Sequence, residues 1–205
     1  MKKALFLVTI LALSVLSTAC INNLAVQELN NKAAEYMKKG DYENAISRLK
    51  SSSDLDESIF ETQYNLAIAY TENEDYDEAI ATFEKALALK PNSSDVFYSR
   101  AVMYENYAKD LYAGNTKQQK EAQKEAEANA EEEGVELKPS LNDDGSYKPT
   151  DEEKENIVKF YEASIADYEK YLETAVSAND NLDIRTKIDQ LNGLIESLNS
   201  GVDSN

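Results

Sequence analysis

Apolar residues return every three or four positions along most of this chain, the spacing of one face of a helix, and short breakers divide the runs. Gly40 closes the first run, and Asp41 stands where it can cap the second. Asp75 with Glu78 has the spacing of a capping box, and Pro91-Asn92 ends the helix that follows. Ser94 then caps a run through Phe97, Ala101, Tyr104, Ala108 and Leu111. Thr150 to Glu153 forms a second capping box ahead of Ile157, Phe160, Tyr161, Ser164, Ile165, Tyr168, Tyr171 and Leu172. A last stripe comprises Ile184, Ile188, Leu191, Ile195 and Leu198, with polar residues over the rest of the helix.

These runs also repeat as blocks. Gly40-Asp41-Tyr42-Glu43-Asn44-Ala45-Ile46 returns 34 residues later as Glu74-Asp75-Tyr76-Asp77-Glu78-Ala79-Ile80. Ala33 and Tyr36 return as Ala67 and Tyr70, then as Ala101 and Tyr104. The second copy is the fullest, with Leu66, Ala67, Tyr70, Ala79, Phe83, Ala86 and Pro91. This pattern resembles the tetratricopeptide repeat (TPR), in which small residues sit where two helices nearly touch and large apolar ones fill the gap to the next pair. Copy one is thinner, because Lys32, Ser52 and Glu57 replace the usual Leu, Ala and Pro.

In the third copy the Gly-Asp-Tyr turn does not arrive, and its partner helix comes about 50 residues late. Ser164 set on the position of Ala45 and Ala79 brings Tyr168 onto that of Leu49 and Phe83. The expected fold is therefore all-α: a right-handed α-solenoid of about three helix-turn-helix repeats, the third split by an insertion, with a C-terminal capping helix. The expected divisions are a repeat array over 26–181, with repeats at 26–59, 60–93, and 94–112 joined to 150–178. The insertion covers 113–149, the capping helix 182–199, and a disordered tail 200–205. Within the insertion, Lys117 to Glu133 holds no large apolar residue and reads as a solvated single helix or a partly disordered segment.

The chain begins differently. Lys2 and Lys3 precede an apolar run from Ala4 to Leu16, and Ser17-Thr18-Ala19 leads to Cys20, the one cysteine. The run is shorter than the ~20 residues a membrane span needs. It reads as an export signal over 1–19, with 20–25 as a linker. The placement of Cys20 resembles the lipobox of bacterial lipoproteins, although Leu16 lies four residues before the cysteine and Ser17 holds its usual place. That resemblance implies cleavage before Cys20 and a diacylglycerol on its thiol; the other reading is a plain signal-peptide end with a free thiol. Ile21 after the cysteine, in place of Asp, points to the outer membrane of a two-membrane bacterium.

Charge narrows the partners. The net charge is −18, and cleavage would take Lys2 and Lys3 with it, leaving −20. Such a surface repels nucleic acid and anionic headgroups, so neither is an expected partner. With no histidine and one thiol, the chain lacks the commonest general base and metal ligand. No phosphate-binding Gly-rich loop, nucleophile elbow or dinucleotide fingerprint is present, so neither an enzyme nor a cofactor is expected. Ser140, Asn142, Asp144, Gly145 and Asp151 fall at calcium-loop spacing, but the first ligand should be Asp, the last should be Glu, and Lys148 lies inside the ring. A tight turn at Asp144-Gly145 is the preferred reading, with no metal.

By the TPR resemblance, the first helix of each pair lines a groove for a peptide or a partner helix. Those positions are Asn30, Ala34 and Met37; Tyr64, Asn65 and Ile68; and Tyr98, Ser99 and Val102. Tyrosines with small polar neighbours suit peptide contact. The alternative is that Tyr64 and Tyr98 serve packing. Of the family's clamp for C-terminal carboxylates only Asn65 matches, which argues against acidic tails as ligands. The expectation is a lipid-anchored envelope scaffold that binds a protein or peptide. Its rival is a surface-exposed structural or antigenic lipoprotein with no groove ligand.

Overall fold

Each helix starts and stops where backbone chemistry allows. The structure, a computed structural model, describes residues 23–133, 141–142, 146–175 and 181–200. Helix α1 covers 23–37. It is followed by α2 (Tyr42–Leu55), α3 (Phe60–Glu72), α4 (Tyr76–Leu89), α5 (Ser94–Ala113), α6 (Lys117–Glu133), α7 (Asp151–Thr174) and α8 (Asn181–Ser200). No strand occurs among the described residues; a single antiparallel bridge joins Leu141 to Tyr147. The chain is thus all-α, built from TPR-like helix pairs. The export signal, Cys20, the start of the linker, the calcium-like residues Ser140, Asp144 and Gly145, and residues 201–205 lie outside the described residues.

The chain forms two compact units. One runs to Asn73 and takes in Ala81–Pro91; the other takes Glu74–Ile80 and continues from Asn92.

In the first unit, α1, α2 and α3 bury Ala33, Ala45, Ile46, Leu49, Leu66 and Ala69 as one cluster, with Tyr36, Met37 and Tyr70 packed at its edge. Ala33 and Ala45 are the small residues of the period, and their short side chains let the helices approach closely. Gly40 adopts φ +71°, a left-handed turn that costs glycine least. The Asp41 carboxylate then accepts from the Asn44 amide at 3.3 Å, capping α2 as the sequence implies. Ser52 breaks the family pattern, and here it lies buried 3.3 Å from the Thr62 hydroxyl.

In the second unit, α7 packs along α5 although the insertion separates them in sequence. Ala101, Ala108, Ile157, Tyr161 and Tyr168 form the core, and Ile184 and Leu191 of α8 complete it. Ser164 occupies the small-residue position and donates to the Ala101 carbonyl at 2.8 Å. The split pair is longer than the others: α5 and α7 have 20 and 24 residues, against 14 in α2 and 13 in α3. Helix α8 lays its expected apolar stripe on this core, with Ile188, Ile195 and Leu198 partly buried beside Ile184 and Leu191.

One cap differs from the sequence reading. Ser94 is already helical, and Ser93 is the N-cap of α5, without a side-chain hydrogen bond. The Ser93 carbonyl accepts from the Val96 and Phe97 amides at 3.1 and 3.2 Å, so the helix closes one residue earlier than the serine pattern implies. The capping box at α7 is present as expected. Glu153 N donates to Thr150 Oγ1 at 3.2 Å, and Thr150 N donates to Glu153 Oε2 at 2.8 Å.

Candidate protein-binding face

The first helices of the pairs carry the residues expected to line a groove, and each helix makes its own polar contacts. On α1, Asn30 Nδ2 donates to the Thr62 hydroxyl at 2.9 Å, which ties α1 to α3. Asn30 is therefore engaged inside its unit. Met37 packs at the edge of the cluster, and Ala34 is exposed.

On α3, Tyr64, Asn65 and Ile68 are half-buried. Ile68 lies four residues after Tyr64 and three after Asn65, which puts it on the same side of the helix as each. The Tyr64 ring stacks on Phe60, with centroids 5.9 Å apart and planes 6° apart. Lys90 reaches back from beyond α4: its ammonium lies 3.8 Å from the Phe60 centroid and 3.1 Å from Glu61 Oε1. One cation thus sits between an aromatic face and a carboxylate, the arrangement that both attract.

On α5, Tyr98 remains 43% exposed. Its ring meets Tyr168 edge-on at 6.1 Å and Tyr171 at 5.4 Å. Val102, one turn on, packs partly against the core. Behind this face Arg100 and Glu105 of α5 are both paired. Arg100 donates to both oxygens of Asp167 at 2.7 and 2.9 Å, across α5 and α7. Glu105 is buried, and it accepts from Lys109, from Lys187 of α8 at 3.0 Å and from the Tyr168 hydroxyl at 3.2 Å. Burial pushes the Tyr168 phenol up, and nearby Glu105 pushes it further. Burial likewise pushes Tyr161 up to about 12. Both phenols stay neutral at physiological pH, and Tyr168 keeps its proton to donate to Glu105.

The insertion is fastened at its ends. Thr116 and Gln119 exchange hydrogen bonds at the start of α6, and Lys117 pairs with Asp75 at 2.6 Å. Gln119 and the Tyr147 hydroxyl both donate to Glu153, at 2.6 and 2.8 Å. Beyond its first turn, α6 is largely exposed, the solvated helix that its composition allows. Asn142 bonds to Ser146 Oγ and the Tyr147 carbonyl at 2.9 and 3.1 Å, so its amide serves the loop.

Among the described residues, no three or more Cys, Asp or Glu gather as a metal site would need, and no helix is long and apolar enough to cross a membrane. The sequence reading missed two groupings. The Phe60–Glu61–Lys90 contact needs the hairpin to bring Lys90 back to the start of α3. The Tyr98–Tyr168–Tyr171 group needs α5 and α7 aligned in register. Only the run of aromatics along both helices hints at the second.

Residues 60–93 match the tetratricopeptide repeat family. No curated protein matches the chain. Among the solved structures that match is a protein of Bacteroides ovatus ATCC 8483 whose proposed role is protein binding. It shares 16% identity, covers 87% of this chain and 99% of its own, and has a TM-score of 0.22.

Proposed function

We propose that this chain is a lipid-anchored scaffold of the bacterial cell envelope, at the outer membrane, which binds another protein or peptide through the first helices of its repeats. The observation that carries this reading is the face of α3. Tyr64, Asn65 and Ile68 lie half-open on the first helix of the segment, 60–93, that matches a protein-interaction repeat. Rings, an amide and an aliphatic side chain supply contact area and hydrogen bonds, so the work is equilibrium binding. Diacylglycerol on Cys20 supplies the attachment, since the acidic surface cannot.

The test is capture in intact cells. A photo-crosslinking residue at Asn65 should give a discrete adduct, identified by mass spectrometry. The same residue at Lys85, exposed on the second helix of the pair, should give none. If position 65 yields nothing beyond what position 85 yields, the face is not a binding surface. The largely exposed α6, which holds no large apolar residue, favours the rival of a surface-displayed lipoprotein. Protease treatment of whole cells separates the two, because a displayed chain is shaved and a periplasmic one is spared.

A further inference from the structure

Each of the two tyrosines expected in the groove has an acidic companion one turn before it. Glu61 lies three residues before Tyr64, and Asp95 lies three residues before Tyr98. A spacing of three puts acid and ring on one helix face. Glu61, Asp95 and Tyr98 are exposed, and Tyr64 is half-buried. A ring face with an adjoining carboxylate is a receptor for an ammonium or guanidinium group, since both the quadrupole and the charge attract it.

The chain demonstrates this chemistry on itself. Lys90 places its ammonium over Phe60 and against Glu61, while Phe60 stacks on Tyr64. The overall charge of −18 draws cationic partners and repels anionic ones.

We propose that α3 and α5 each carry a slot for a lysine or arginine side chain of a basic partner segment, formed by Glu61 with Phe60 and Tyr64 on α3 and by Asp95 with Tyr98 on α5. The proposal rests on the protein-binding reading above and names the chemistry of its partner. Lys90 occupies the α3 slot, so an incoming side chain displaces it.

Fluorescence anisotropy on the full chain in non-ionic detergent tests this. The probe is a short labelled peptide alternating lysine with Gly-Ser, and the control is its glutamate counterpart. The lysine peptide should bind and the glutamate peptide should not. Glu61→Gln with Asp95→Asn should weaken binding about fivefold or more, the effect of losing two partly exposed charge contacts. Glu162→Gln with Glu169→Gln removes the same charge from the exposed face of α7 and should change binding less than about twofold. Lys90→Gln should strengthen binding, because it empties the α3 slot. Equal weakening by the two double variants would reduce the effect to general charge and overturn the slots. So would failure of the lysine peptide to bind, or equal binding of the glutamate peptide. The crosslink at position 65 scores the parent reading separately. A partner captured there, with a negative peptide result, leaves a binding face of different chemistry.

Discussion

Glu105 concentrates the strongest electrostatic argument in this chain. Burial alone would raise its carboxyl, but hydrogen bonds and charge from Lys109 and Lys187 outweigh burial and hold it below the ordinary 4.5. A group depressed on folding adds stability that is complete above the unfolded value and is lost as pH falls through the folded one. The melting temperature should therefore stay level down to about pH 5 and fall below it. Glu105→Gln should flatten that fall and cost about 2 kcal/mol near neutrality, because Tyr168 and two lysines lose a charged acceptor. An unchanged acid limb in the variant would show that Glu105 does not govern it. Gly114 allows a sharper test. It closes α5 at φ +70°, and a Cβ there would lie 2.6 Å from the Tyr147 ring. Gly114→Ala should cost about 1 kcal/mol for the left-handed backbone and more for the clash. In a Tyr147→Ala background only the backbone part should remain, so denaturant melts should show coupling of about 1 kcal/mol. Strict additivity would mean that the ring moves aside freely.

At the scale of helices, the period made much of the fold legible. Read with the breakers, capping signals and apolar spacing, it placed the turn at Gly40, the cap at Asp41, the box at Thr150 and the apolar stripe of α8. It also identified α7 as the delayed partner of α5, because Ser164 fitted the alanine position. What it could not supply was side-chain pairing across helices. A repeat constrains which positions are small, not which rotamer a tyrosine takes. Tyr98 thus read as a groove residue with packing as its alternative, and the structure gives it both an exposed ring and edge contacts with Tyr168 and Tyr171. Asn30 read as a groove residue, yet its amide joins Thr62, a partner 32 residues away that no local pattern exposes. The reading of Ser164 makes its own prediction. Ser164→Ala restores the residue of the other pairs and should change stability by less than about 1 kcal/mol, since a single neutral hydrogen bond is lost. Ser164→Leu forces bulk into a closely packed contact and should cost about 3 kcal/mol. Chemical denaturation compares the two. A severe loss in the alanine variant would mean that the hydroxyl, not the small volume, is what this position requires.

Charge and attachment are properties of the whole chain, and they constrain each other. A charge of −18, or −20 after the proposed cleavage, repels an anionic membrane at any distance salt leaves unscreened. Among the described residues no helix is apolar and long enough to span a bilayer. Under the proposed anchoring, apolar acyl chains hold the chain at the membrane, at roughly 0.8 kcal/mol per buried methylene. Two or three chains on Cys20 would make the attachment indifferent to salt and sensitive to detergent. The chain should therefore remain in the membrane pellet through a wash at about 1 M salt, where the screening length is about 3 Å, and leave it in non-ionic detergent. Replacing residues 1–20 by a plain secretory signal, so that the exported chain begins at Ile21, should move it to the soluble fraction without altering its thermal melt. Cys20→Ser alone is a weaker test, because a blocked cleavage would leave the apolar run from Ala4 to Leu16 attached. If the signal-swapped chain still sediments with membranes, the protein has a second means of attachment. If the natural chain is freed by salt, the anchor at Cys20 is wrong and a basic membrane protein is what holds it, a role that the proposed slots on α3 and α5 would then have to fill.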